Sequence, residues 1–101
     1  MHVKGSVGLV TGGASGLGAG VAASLLERGG RVAVLDQHLE GTDTLVERFG
    51  DSVTCHQCDV TNPIQVEESV SSALEAHGRI DLLVSCAGIS VGKKVISRAG
   101  D

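Results

Sequence analysis

Apolar and polar positions along this chain alternate between two kinds of segment. Short strand-like runs stand at about Ser6 to Thr11, Arg31 to Leu35, Val53 to Gln57 and Ile80 to Ser85. The first, second and fourth are largely apolar, the mark of strands buried on both faces of a sheet. The runs between them have helical spacing. The first spans about Gly16 to Arg28, with Gly18, Ala22 and Leu25 expected to face the sheet, and stops at Gly29-Gly30, a pair suited to a left-handed cap. The second, about Thr42 to Phe49, offers Leu45, Val46 and Phe49 as a buried stripe and ends at Gly50. The third has the clearest local grammar. Asn62 can cap it, Pro63 fits its first position, and Gln65 can complete a capping box. Val66, Val70, Ala73 and Leu74 follow as its apolar face, Glu67, Glu68 and Glu75 point outward, and Gly78 closes it. Beyond strand four, Ile89 to Asp101 carries Lys93, Lys94 and Arg98 without an apolar period and reads as a loop or a weak helix.

Strands and helices in strict alternation imply a parallel sheet with helices on both faces. The stretch between the first strand and helix sharpens that expectation. Thr11-Gly12-Gly13-Ala14-Ser15-Gly16-Leu17-Gly18 carries the chain from strand to helix through glycines. The first turn of a helix has free N–H groups and the positive end of the macrodipole, so it attracts phosphate. Gly12 would allow the tight turn, Gly16 would let a diphosphate approach the backbone, and Gly18 would let helix and strand pack closely. The spacing is G-x-x-x-G-x-G, not the commoner G-x-G-x-x-G, and a plain glycine-rich turn could look similar. Asp36, directly after strand two and 18 positions past Gly18, stands where an acid accepts hydrogen bonds from an adenosine ribose. Its bland alternative is a solvated acid ending a strand. That carboxylate would repel a 2′-phosphate, and Ser15, not a basic residue, precedes Gly16. Both features favour NAD over NADP. The predicted fold is therefore a three-layer α/β Rossmann-type unit, a single domain over residues 1–101, with about four parallel strands in the order 3-2-1-4.

Composition changes the picture in four places. With 42% hydrophobic and 20% charged residues in 101, the chain is globular and sized for one domain. No apolar run approaches the ~18–20 residues of a membrane span, and the opening Met1 to Ser6 is too short for a signal peptide. A net charge of −4 with Phe49 as the single aromatic argues against nucleic acid as the main ligand. Three cysteines suit reduced thiols, not a disulfide framework. Cys55-His56-Gln57-Cys58 could suggest zinc or redox chemistry, but four zinc ligands are not available and Cys55 and Cys58 would point to opposite faces of a strand. Core cysteines are the expected reading, with no metal site. His2, His38, His56 and His77 look scattered.

Three segments together resemble the short-chain dehydrogenase/reductase family. Thr11-Gly12-x-x-x-Gly16-x-Gly18 is similar to its cofactor motif, Asp59-Val60 to its adenine-contacting motif, and Cys86-Ala87-Gly88 to its Asn-Ala-Gly motif with Cys in the Asn position. The resemblance covers nearly the whole chain. It implies that Ser15 and Leu17 contact the diphosphate and adjoining ribose, that Asp36 holds the adenosine ribose, and that Asp59 and Val60 meet the adenine. It also implies that Cys86, Ala87 and Gly88 line the cofactor beyond. Asp59 has a second reading, a carboxylate that caps the amides of Thr61 or Asn62. The wording of Val3-Lys4-Gly5 and Cys86-Ala87-Gly88-Ile89 is nearest to a mitochondrial branch of the family, which implies mitochondrial location, with the cytoplasm as the alternative. It also implies an oxidoreductase acting on a CH–OH group of a hydroxyacyl-CoA or hydroxysteroid-like substrate.

The family's proton transfer uses a Ser and a Tyr-x-x-x-Lys pair, and this chain contains no tyrosine. No catalytic residue is assigned, and Lys93 and Lys94 lack the partner for that role. The chain is expected to hold the N-terminal, cofactor-binding part only, to be inactive alone and to meet substrate only in a longer form. In the family fold strand four is interior, so a bare outer edge here would expose backbone and apolar surface and favour self-association. A complete, non-catalytic dinucleotide-binding or regulatory module is the second reading. A third, another Rossmann-like protein such as a methyltransferase, is disfavoured by Asp59-Val60 and Cys86-Ala87-Gly88.

Overall fold

The computed structural model describes residues 3–12 and 16–86. Four parallel strands form one sheet in the order β3-β2-β1-β4: β1 (Val7–Thr11), β2 (Arg31–Asp36), β3 (Val53–Gln57) and β4 (Leu82–Ser85). Three helices cross between them: α1 (Gly16–Glu27), α2 (Asp43–Phe49) and α3 (Pro63–His77). The order is the expected one, and no described helix is long and apolar enough to cross a membrane.

Strand periodicity divides the core into two halves. On one face Val10, Val32, Val34 and Val53 pack with Ala22 and Leu26 of α1 and Leu45 of α2. On the other, Leu9, Ala33 and Leu35 pack with Ala73 of α3 and with Cys58. The result is three layers. Cys55 packs against the first cluster and Cys58 belongs to the second, so the two thiols lie on opposite faces and all three cysteines are free.

The helix ends follow the local chemistry. Asn62 Oδ1 accepts the amides of Ile64 and Gln65, and Gly78 closes α3 in the left-handed region at φ 85°. After α1, the amides of Gly29 and Gly30 donate to the carbonyls of Leu26 and Leu25, a Schellman pair that ends the helix at Glu27, one residue before the expected Arg28. A short 3₁₀ turn over Glu40–Thr42 takes the first residue expected of α2.

Four expectations need correction. Leu26, not Leu25, is the buried leucine of α1, with Leu25 packed at the margin of the cluster. Val46 and Leu74 are exposed, because the faces that meet the sheet run through Leu45 on α2 and through Ser69, Ala73 and His77 on α3. Gln65 does not complete a capping box with Asn62; its Oε1 accepts the Asp59 amide at 2.9 Å, while the Asn62 amide donates to the Asp59 carbonyl. Strand four starts at Leu82, not Ile80, and Leu82, Leu83 and Val84 are half-buried, since β4 ends the described sheet. Ahead of it the Asp81 carboxylate accepts the Val7 amide at 2.8 Å, a side chain standing where a strand carbonyl would.

Candidate functional site

The carboxyl ends of the four strands are tied together by main-chain hydrogen bonds. Gly12 N donates to Leu35 O at 2.7 Å, Cys58 N to Asp36 O at 2.9 Å and Cys86 N to Thr11 O at 2.9 Å. Each strand thus hands its exit to the next, and a cleft of about 420 Å³ opens across them. Ends of parallel strands are where open α/β sheets hold ligands, because the chain departs there toward opposite faces.

One wall comes from the glycine turn. Gly12 lies at φ 71° and Gly16 at φ 59°, conformations that side chains with a Cβ rarely adopt. They turn the chain from β1 into α1, and the buried Gly18 sits against the sheet. The first turn of α1 contains no acidic residue, so its positive end is not neutralised from within. Leu17, 68% exposed, stands on this wall beside Gly12 and Gly18.

Asp36 and Gln37 form the second wall, at the end of β2. The Asp36 carboxylate accepts the His38 amide at 3.0 Å, and Gln57, paired with Asp36 in the sheet, donates from Nε2 to the Gln37 carbonyl at 3.1 Å. Cys58, Asp59, Val60 and Thr61 make the third wall and Cys86 the floor beside β4. Asp59 Oδ1 accepts both the amide and the hydroxyl of Thr61, at 2.9 Å and 2.6 Å. The Thr61 hydroxyl foremost, then its amide, hold this carboxyl below the usual carboxylate range, and the Gln37 side chain adds to the effect. Asp59 therefore caps the Thr61 amide, as its second reading requires, and also lines the cleft.

Of the residues singled out in the sequence, Gly12, Leu17, Gly18, Asp36, Asp59, Val60 and Cys86 line one cleft. Gly16 opens the helix beside it. The assignments of Ser15, Ala87 and Gly88 lie outside the described residues. Gln37, Cys58 and Thr61 also line the cleft and were not assigned to the site, Cys58 having been read as a core cysteine and Thr61 as a capped amide. Their only signal in the sequence was adjacency to Asp36, Asp59 and Val60. Among the described residues, the lining holds two carboxylates and no lysine, arginine or histidine. Among the described residues no group of three or more His, Cys, Asp or Glu side chains is placed to hold a metal ion.

A model of the short chain dehydrogenase family matches residues 6–99. The chain belongs to that family. Its short-chain dehydrogenase relatives include bovine 3-hydroxyacyl-CoA dehydrogenase type-2 (Bos taurus), 40% identical over 92 residues, or 91% of this chain and 35% of that one. The 15-hydroxyprostaglandin dehydrogenase [NAD(+)] of Macaca fascicularis is 39% identical over 95 residues, covering 89% of this chain and 36% of the relative. Among solved structures, the 3-ketoacyl-(acyl-carrier-protein) reductase from Brucella melitensis complexed with NADH superposes with a TM-score of 0.75 at 30% identity. The match covers 80% of this chain and 34% of that structure. The chain thus spans about a third of the length of the family members it matches.

Proposed function

We propose that this chain is the NAD-binding portion of a short-chain dehydrogenase. The observation that carries the reading is the cleft itself. A carboxylate at the end of β2 shares the cleft with Gly12 and with the N-terminus of α1, whose first turn holds no acidic residue, and apolar side chains stand on two walls. Each part suits one part of a dinucleotide. Gly12, Gly16 and Gly18, with Ser15 beside them, leave room for a diphosphate at the helix end. Asp36 accepts the two hydroxyls of the adenosine ribose. Leu17 and Val60 offer apolar surface to the adenine, with Asp59 at its polar edge, and Cys86 continues the binding surface beside β4; Ala87 and Gly88 are assigned to the cofactor by their match to the family's motif alone.

The choice of NAD over NADP rests on charge. A 2′-phosphate beside Asp36 would meet two carboxylates and, among the described residues of the lining, no basic side chain. The NADH held by the Brucella reductase and the NAD(+) in the macaque enzyme's name agree with this preference. When bound, NAD supplies a hydride acceptor for a CH–OH carbon. A hydroxyacyl thioester or hydroxysteroid-like alcohol is the proposed substrate class of a longer form, by analogy with the bovine relative.

Thermal unfolding with rising NAD, and NADP as control, tests the proposal. A ligand at ~100 times its dissociation constant adds about 2.7 kcal/mol to a folded state that binds it. A clear rise in Tm with NAD and little with NADP is expected. A cooperative transition that neither dinucleotide moves would refute it.

A further inference from the structure

Outside the cleft, the fold brings two histidines that looked scattered in the sequence to a single hydroxyl. Thr54 and His56 alternate with Val53 and Cys55 on β3, so they share the face covered by α3. His77 is the last residue of α3. Nε2 of His56 and Nε2 of His77 each lie 2.9 Å from Thr54 Oγ1. His77 is 7% exposed, and its Nδ1 is buried with no hydrogen-bond partner among the described residues.

A hydroxyl has one proton to give and two lone pairs to offer, so at most one of the two rings can accept from it. If Thr54 donated to His77, a neutral His77 would carry its proton on Nδ1 and bury an unpaired N–H. The other direction leaves only a lone pair there. His77 Nε2–H therefore donates to Thr54 Oγ1, which leaves the Thr54 proton for His56 Nε2, 2.9 Å away. Both rings are neutral in this arrangement, and each accepts a second proton only by breaking it. A protonated His56 turns Nε2 from an acceptor into a donor, and the Thr54 proton loses its acceptor. A protonated His77 buries a charge and an N–H at Nδ1.

We propose that Thr54, His56 and His77 form an acid-sensitive latch, which fastens the C-terminal end of α3 to the edge strand β3 while both imidazoles are neutral and releases it when they are protonated. Among the described residues, the charged and titratable groups acting on His77 from the packed strands are Arg31 of β2 and His56 of β3, and neither is a carboxylate. Burial first, then Arg31, then His56 hold the proton affinity of His77 below the ordinary histidine value, and burial does the same for His56. The α3 dipole favours a cation at this helix end, and the buried ring with its cationic neighbours overrides it. The helix so fastened is the one whose approach, Cys58 to Thr61, walls the cleft.

The sign follows. The unfolded chain takes up protons at the ordinary pKa of about 6.5, whereas the folded rings stay neutral to lower pH. The latch is at full strength above about pH 6.5 and weakens as pH falls from there through the lowered folded values. NMR of the imidazole nitrogens of the 101-residue chain, with urea unfolding at pH 7 and 5.5, tests this. His77 should show the Nε2–H tautomer and His56 the Nδ1–H tautomer, both titrating below 6.5. The folding equilibrium constant should fall about eightfold between pH 7 and 5.5 for each histidine that stays neutral. His56→Gln and His77→Gln should each remove their share, and Thr54→Val should scramble the tautomers. Either ring titrating at or above the ordinary value in the wild type overturns the latch. So does a pH dependence that survives intact in His56→Gln, which decides the matter even if His77→Gln does not fold.

Discussion

Asp36→Ala separates a binding carboxylate from a solvated one. In the folded chain the side chain accepts the exposed amide of His38 at 3.0 Å, a local contact at the end of β2. Its loss costs about 0.5–1 kcal/mol of stability, the net worth of one such hydrogen bond. Binding is hit harder. Hydrogen bonds to a charged group contribute about 1.5–3 kcal/mol each, so two ribose hydroxyls left without the carboxylate lose about 3 kcal/mol at the low end. That corresponds to about a 150-fold weaker Kd for NAD. Asp36→Asn keeps an acceptor for the His38 amide but loses the charge, and about a tenfold loss is expected of it. Because the carboxylate is also what repels a 2′-phosphate, the preference for NAD over NADP should narrow in both variants. Calorimetric titration of each variant with both dinucleotides reads these numbers, with urea unfolding of the free protein as the control. A dissociation constant for NAD within twofold of wild type, in an Asp36→Ala protein of normal stability, would remove Asp36 from the site.

Three further outcomes are expected. Asp81, whose carboxyl is held below its ordinary range chiefly by Arg79 and then by the Val7 amide, joins the start of β4 to β1. Asp81→Ala should lower stability by about 1–2 kcal/mol in urea unfolding. The depressed carboxyl makes the wild-type contribution complete above about pH 4 and lost on further acidification, and an unchanged midpoint in the variant would show that the contact is not stabilising. Cys86 and Cys58 both line the cleft, but Cys86 is half-buried whereas Cys58 is only 1% exposed. Saturating NAD should therefore slow alkylation of Cys86 at least several-fold, read by mass spectrometry of its peptide; equal rates with and without NAD would place Cys86 away from the cofactor. Finally, with β4 at the end of the described sheet, sedimentation velocity should show concentration-dependent association, and a monodisperse, highly stable monomer would contradict it.

Most of the architecture could be read before any coordinates. Parallel strands announce themselves as short apolar runs, and Gly29-Gly30, Asn62-Pro63 and Gly78 mark helix ends through contacts made within a few residues. The core of the cleft was legible for the same reason. Gly12 and Gly16 sit at turns whose φ angles are set locally, and the alternation of strands and helices puts them and Asp36 at one end of the sheet. Local spacing could not say which of two adjacent apolar residues turns inward. Leu26 rather than Leu25, and His77 rather than Leu74, face the sheet because the rotation of each helix is set by the surface it lands on. The half-buried state of β4 likewise depends on what lies beside it. Gln37 and Thr61 entered the site only through the company they keep in space. The meeting of His56 and His77 at Thr54 was the least legible feature. Twenty residues of helix and turn separate the two histidines in the chain, and only the packing of α3 on the edge strand brings them to one oxygen atom. Periodicity and turn chemistry determine which elements form and in what order, because those are short-range forces. Which faces meet, and which polar groups are trapped between them, is decided by tertiary packing, because burial is a property of the whole fold.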